Sequence, residues 1–316
     1  MIISASRRTD IPAFYAKWFI NRIRAGYCSV PNPFNRNQVS RVSLSSSDVD
    51  VIVFWSRNPN PLIPYLKELD ERGYRYYFQF TVMNNPRLID PKSPSVDTSI
   101  EIFKKLASLI GPQRLIWRYD PIVFSPMTGS DYHLLQYERI ASALKGLTFR
   151  SVISIVDEYP KASKRLRHMA ESGAPLLPSD PKKNADIRDC IQNFVSIASK
   201  NEMEIFSCAE EIDLSQFGVL PGKCIDNEYI QRTFSITVDS KKDPSQRKVC
   251  GCVVSKDIGM YDSCLFGCQY CYATKSFETA GKNHNEHNPD SPSLIGWYET
   301  TTEKKEEIKP GQLSLF

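Results

Sequence analysis

The chain has 316 residues, 41% of them hydrophobic and 24% charged, with a formal net charge of +4. This is the balance of a soluble globular protein, and the charge neither demands nor excludes nucleic acid. No run of about 20 apolar residues occurs, and the start, MIISASRRTDIP, meets charge too early for a signal peptide. A cytoplasmic location with no membrane partner is expected.

Short runs rich in Val, Ile, Phe and Tyr predict buried strands over 2–5, 49–55, 74–82, 115–123, 151–156 and 203–207. Amphipathic patterns between them predict helices over 12–25, 62–72, 98–109, 132–144, 161–171 and 185–198. The first helix follows a cap-like Asp10 and spaces Phe14 and Trp18 along one face. No two strands are joined by a two-residue hairpin turn, so the six strand–helix repeats argue for an α/β protein with a parallel sheet. Six units fit an open six-stranded barrel or a doubly wound sheet.

Polar residues gather where the predicted strands end. Ser6 to Asp10 follow the first, Ser56 to Asn58 the second, and Gln79 and Thr81 close the third. Arg118 and Asp120 close the fourth, Ser154 and Asp157 the fifth, Cys208 and Glu210 the sixth. Sites in parallel α/β folds form at these carboxyl ends. Arg7, Arg8, Asp10, Arg57, Gln79, Arg118 and Asp120 are therefore expected to line a charged pocket. An arginine inside a strand is costly to bury alone. Asp120, two positions on, shares the face of Arg118 and is either its partner or a second pocket group.

After residue 212 the periodicity breaks down and cysteines take over. A cytoplasmic chain is not expected to tie its nine cysteines into disulfides. Cys28 and Cys190 stand apart and read as small apolar side chains, whereas the other seven fall between residues 208 and 271. The run CLFGCQYCYA carries Cys264, Cys268 and Cys271 as C-x3-C-x2-C, with Tyr270 before the last cysteine. A structural zinc site wants four closed ligands. Three thiolates on a four-iron cube leave one iron open to something other than protein. Cys208, Cys224, Cys250 and Cys252 are enough for a second [4Fe–4S] cluster or a zinc ion, with ordinary buried cysteines as the third reading. His284 and His287 have metal-like spacing but lie in a polar stretch and are expected in solvent. The segment KASKRLRH places Lys161, Lys164, Arg165 and His168 on one stripe, which a solvated helix face explains equally well.

The C-x3-C-x2-C run resembles the signature of the radical S-adenosylmethionine enzymes. That resemblance implies an open (β/α)6 partial barrel and a [4Fe–4S] cluster on Cys264, Cys268 and Cys271. It also implies that S-adenosylmethionine chelates the fourth iron through its amine and carboxylate, and that an electron donor such as flavodoxin or ferredoxin reduces the cluster. Two departures limit it. The motif here follows the sixth strand, where that family has it after the first, and FWSRNPNP stands where the family carries a glycine-rich element. Only the three cysteines, with Tyr270 beside them, carry over. Nearly the whole chain is also similar to the DUF1848 family, in SRRTDIP, DVDVIVFWSRNP, PGKCID and CGCVVSKDIGMYDSCLFGCQYCYA. This implies that the late cysteine motif is that family's normal arrangement, and it implies no substrate.

The last five residues, Gln312, Leu313, Ser314, Leu315 and Phe316, look like the motif by which bacterial proteins bind the DNA sliding clamp. An extended segment of this kind inserts apolar anchors into a groove while a polar residue fixes its register. Three segments are expected: a barrel core over 1–212, an iron–sulfur segment over 213–281 packed on the barrel mouth, and a polar linker with its terminal motif over 282–316. The function expected is reductive cleavage of S-adenosylmethionine, applied to DNA repair or nucleobase modification through clamp recruitment. A radical enzyme acting on a small molecule, peptide or RNA is the first alternative. A non-enzymatic iron–sulfur or zinc protein docking on the clamp is the second.

Overall fold

The computed structural model describes residues 1–299. The first strands in chain order are β1 (Ile2–Ala5), β2 (Tyr27–Pro31), β3 (Val39–Ser43), β4 (Val51–Ser56) and β5 (Tyr76–Thr81). They are followed by β6 (Leu115–Ile122), β7 (Arg150–Ile155), β8 (Glu204–Cys208), β9 (Leu220–Gly222) and β10 (Lys256–Asp257). The helices are α1 (Ile11–Phe14), α2 (Ala16–Ala25), α3 (Leu66–Glu71), α4 (Val96–Ile110) and α5 (Ser130–Leu144). The series ends with α6 (Ser163–Glu171), α7 (Ala185–Lys200), α8 (Asn227–Phe234) and α9 (Phe277–Asn285).

Eight strands form one sheet in the order β10-β1-β4-β5-β6-β7-β8-β9. Every neighbouring pair in it is parallel. All six apolar runs became strands, and they lie side by side in chain order. β9 and β10 extend the sheet at its two edges, and at three and two residues they are too short to register as apolar runs. β2 and β3 form a separate antiparallel hairpin. Its connection spans residues 32–38, so it lacks the two-residue turn signature that sequence reading relies on.

Two predicted helices are divided. Residues 12–25 form α1 and α2, with the break at Tyr15, whose φ of −133° lies off the helical value. Residues 60–65 form a 3-10 turn before α3, because Pro61 and Pro64 supply no backbone N–H.

Alternate strand residues face opposite sides of the sheet. Ile3, Ile52, Phe54, Tyr76, Phe78, Trp117 and Tyr119 pack with residues of α2, α4, α5 and α7. On the other face Val51, Val53, Tyr77, Ile116, Val152 and Phe206 meet Cys224, Ile225, Tyr229, Ile230, Cys250 and Cys252. The cysteine-rich part of the chain therefore covers the face that the long helices leave free. α8 is fixed there by its N-cap Asp226, which accepts from Glu228 N and Tyr229 N and pairs with the buried Arg150 at 2.8 Å. α6 contributes Leu166 and Met169 to a third group with Ile89, Val123, Phe266, Cys268 and Tyr270.

Residues 282–299, expected as the start of a polar linker, dock on α2. Trp18 Nε1 donates to Ser291 O at 3.0 Å, and Asn21 Nδ2 donates to Pro289 O at 3.1 Å. His284 and His287 are half-buried against the Tyr15 ring, with centroids 5.4 and 4.8 Å away, and are not in solvent as expected. Among the described residues no helix is long and apolar enough to cross a membrane.

His133 of α5 is fully buried. Its Nδ1 lies 2.8 Å from Tyr119 Oη and its Nε2 lies 3.1 Å from Val123 O. Burial pushes its pKa down from 6.5 to about 4. The unfolded chain takes up this proton first, so the contribution is fully present above pH 6.5 and is lost as pH falls through 4. The loss amounts to about 3 kcal/mol at most. Denaturation curves for wild type and His133→Gln should converge as pH falls across that window, and curves that stay parallel would contradict this.

Candidate functional site

A cavity of about 530 Å³ opens at the carboxyl ends of the central strands. Arg7, Arg8, Asp10, Arg57, Arg118, Asp120 and Tyr270 line it, as do Cys208, Cys224, Cys250, Cys252, Cys264, Cys268 and Cys271. Tyr261 and Tyr272 also line it, with Trp55, Tyr159 and Phe266. Gln79 does not line it. The residue is fully buried behind the wall, where its Nε2 donates to Cys224 O at 2.7 Å and its Oε1 accepts from Arg118 at 3.1 Å. Gln312 to Phe316 lie outside the described residues.

The loop bearing Cys264, Cys268 and Cys271 is anchored on several sides. Tyr15 Oη donates to Ser263 O at 2.7 Å. The chain between β5 and α4 contributes backbone bonds, from Lys92 N to Phe266 O at 3.2 Å and from Gln269 N to Ile89 O at 3.1 Å. Arg165, expected on a solvated helix stripe, turns back onto the loop. Its Nε donates to Gln269 O at 3.0 Å, and its other nitrogens reach the carbonyls of Lys275 and Cys271.

A buried charge group ties the loop to the sheet. Arg57, just after β4, lies 3.2 Å from Asp90, and its Nη2 donates to Tyr270 Oη at 2.5 Å. Tyr270 in turn donates to Asp90 at 2.9 Å. Burial works against the Arg57 charge, but Asp90, Tyr270 and the thiols of Cys268 and Cys264 hold its pKa well above the ordinary value. Burial raises Cys264 to about 12 and carries Cys268 well above its usual range.

The segment after β1 is fixed by two carboxylates. Asp10 caps α1 through Ala13 N and also accepts from Ser56 Oγ at 2.8 Å and Arg57 N at 2.7 Å. Burial pushes its pKa up to about 7 in spite of those bonds. Asp257 of β10 accepts from Ser4, Ser6 and the Arg7 N–H at 2.6–2.8 Å. Gly259 follows it, where a Cβ would lie 2.0 Å from Ser6 Oγ, so only glycine allows this approach.

On the opposite wall Arg118 contacts Asp120, and Asp120 also accepts from Ser154 Oγ. Both readings of Arg118 and Asp120 hold together, since the pair is bonded and still faces the cavity. Arg118 Nη1 also donates to Cys224 Sγ at 3.0 Å. Cys224, bonded by the thiols of Cys208 and Cys252 and next to Arg118, is held well below the usual thiol pKa. Cys28 and Cys190 lie apart from the cavity, and burial lifts both to about 12, as small core side chains should be.

Sequence reading missed Asp90, Arg165 and Asp257. Each acts through a partner more than 100 positions away, apart from the pair of Asp90 with Arg57, and no local pattern marks such a relation. Three thiols from one anchored loop border the cavity, the soft donor type that iron–sulfur clusters use, although among the described residues no group of three or more His, Cys, Asp or Glu is placed to hold a metal ion as it stands. Two buried polar atoms of cavity-lining residues, Arg7 Nη2 and Thr9 Oγ1, have no protein partner, so the wall retains donors for a polar ligand.

Removing the Asp90 carboxylate strands the Arg57 charge in the interior. Asp90→Ala should cost about 3–5 kcal/mol in chemical denaturation. A loss below about 1 kcal/mol, the range of a surface ion pair, would show that the group is not the anchor described here.

No curated protein matches the chain. One family's sequence profile matches residues 2–273, and the chain therefore belongs to the family described as Domain of unknown function (DUF1848).

Proposed function

We propose that this protein is a radical S-adenosylmethionine enzyme whose reaction takes place in the cavity at the strand ends. The observation that carries the reading is that Cys264, Cys268 and Cys271 border one cavity, from a single anchored loop that supplies three thiols and no fourth. Three thiolates would hold a [4Fe–4S] cluster with one iron left to the cofactor. When bound, that pair supplies the electron that cleaves the cofactor's sulfonium and starts radical chemistry.

The chain's own residues bind, orient and shield. Arg165 and the Arg57–Asp90–Tyr270 group fix the loop. Arg7 and Arg8 offer planar guanidinium donors suited to carboxylates or phosphates. A cavity of about 530 Å³ lies within the range of small-molecule sites. We read the sheet as an open (β/α)6 barrel over 1–212 with β9 and β10 added at its edges. In support, six strands run in chain order with no reversal, and α2, α4, α5 and α7 all contribute to one face. The cysteine segment over 213–281 then fills the mouth. The late position of the motif agrees with this arrangement, since β10 pairs with β1 and the chain after it leads into the cysteine loop.

Anaerobic reconstitution followed by product analysis tests the reading. Wild type should release 5′-deoxyadenosine from S-adenosylmethionine under reduction, and Cys268→Ala should lose at least a hundredfold in that rate. Equal rates in the two proteins would refute it.

The substrate reading rests on the terminal motif. We propose that Gln312 to Phe316 recruit the enzyme to the sliding clamp and hence to DNA. A short peptide in a groove binds weakly, on the order of micromolar, and tethering to a ring on DNA makes that sufficient. Deleting the five residues should abolish binding to the clamp in calorimetry and leave cofactor cleavage unchanged. Undiminished clamp binding would remove the argument for a DNA substrate.

A further inference from the structure

Four more cysteines border the same cavity, and the proposed reaction makes no use of them. Cys208 ends β8, Cys224 lies between β9 and α8, and Cys250 and Cys252 lie on the approach to β10. Three separate segments thus deliver four sulfurs to one place. The Cys208 and Cys224 sulfurs are 2.9 Å apart, and Cys252 lies beside Cys224 and Cys250.

The backbone beneath them is fixed. Tyr77 Oη and Gln79 Nε2 both donate to Cys224 O, at 2.8 and 2.7 Å. What surrounds the sulfurs is a set of donors. Arg118 Nη1 reaches Cys224 Sγ at 3.0 Å, and Ile225 N reaches Cys252 Sγ at 3.4 Å. The Arg7 guanidinium lies beside Cys252 and Cys224, and its Nη2 is buried with no partner. Arg118 already has the Asp120 carboxylate, whereas the buried Arg7 Nη2 has no partner, and both guanidiniums lie beside sulfur. They suit thiolates, and four adjacent thiolates are held together only by a soft metal centre.

We propose that Cys208, Cys224, Cys250 and Cys252 hold a second [4Fe–4S] cluster. Four thiolates cap all four irons, so this centre carries electrons and has no open iron for cofactor or substrate. A single zinc ion needs its ligands converged on one point. Among the described residues no group of three or more His, Cys, Asp or Glu is placed to hold a metal ion as it stands, so either centre requires the sulfurs to move. A cube asks each sulfur to meet its own iron, and loading must part Cys208 from Cys224. Cys208 is half-buried and borders the cavity, so its side chain has space to turn. Hydrogen bonds from Arg118 and Ile225 to the sulfurs are the kind of contact that sets such a cluster's potential.

The ligand set is separate from the one proposed above, and the test separates the two. Iron, acid-labile sulfide and zinc are counted on the anaerobically reconstituted full chain, with Mössbauer spectra to identify cluster type. About eight irons and eight sulfides per chain are expected in wild type, without zinc. The variant Cys264→Ala/Cys268→Ala/Cys271→Ala should keep about four irons and a reducible, EPR-active cluster. Cys250→Ser/Cys252→Ser should fall to about four, and this second arm decides if the first variant does not fold. An iron count unchanged by Cys250→Ser/Cys252→Ser overturns the proposal. One zinc per chain lost in that same variant overturns it as well. Four irons in wild type that survive the triple alanine variant would support the second centre and count against the first.

Discussion

The buried contact among Arg57, Asp90 and Tyr270 is the constraint on which the rest of the site depends. It joins the end of β4, the chain after β5 and the cysteine loop, three places far apart in sequence. A guanidinium in the interior is tolerable only with a carboxylate beside it, and Asp90 is 2% exposed. Because Tyr270 sits between Cys268 and Cys271, the position of those sulfurs follows from a charge requirement in the sheet. Backbone bonds to Ile89 and Lys92 and the clasp of Arg165 then leave the loop little freedom.

The opposite wall obeys the same logic. Arg118 and Arg150 rise from neighbouring strands into the face that carries no long helix, and each has its own carboxylate, Asp120 and Asp226. Cys224 lies against the first and α8 is capped by the second. Charge on this face of the sheet thus accompanies two cysteine groups around one space.

The six central strands were legible because parallel strands buried on both faces are continuous apolar runs, as VIVFW in β4 and YYFQF in β5 illustrate. The pocket residues were legible for a related reason: polarity begins where such runs stop. Gln79 shows the limit, since it shares the face of Tyr77 but lies one layer too deep to reach the cavity. β9 and β10 were illegible because their pairing comes from neighbours, with Pro221 and Lys256 giving no strand signal. Arg165 was misread because a helix stripe looks solvated until the loop that covers it is known. His284 and His287 were misread likewise, since their polar neighbourhood hides the Tyr15 ring on which they rest.

The central claim is that an iron left open by Cys264, Cys268 and Cys271 faces the cavity and takes S-adenosylmethionine. The most direct measurement is pulsed ENDOR on the reduced, anaerobically reconstituted chain, with the cofactor labelled by ¹⁵N in its amine and ¹⁷O in its carboxylate. The account predicts hyperfine coupling of both nuclei to one cluster iron, absent from Cys268→Ala. A cluster spectrum unchanged by the labelled cofactor, with neither coupling present, would contradict it.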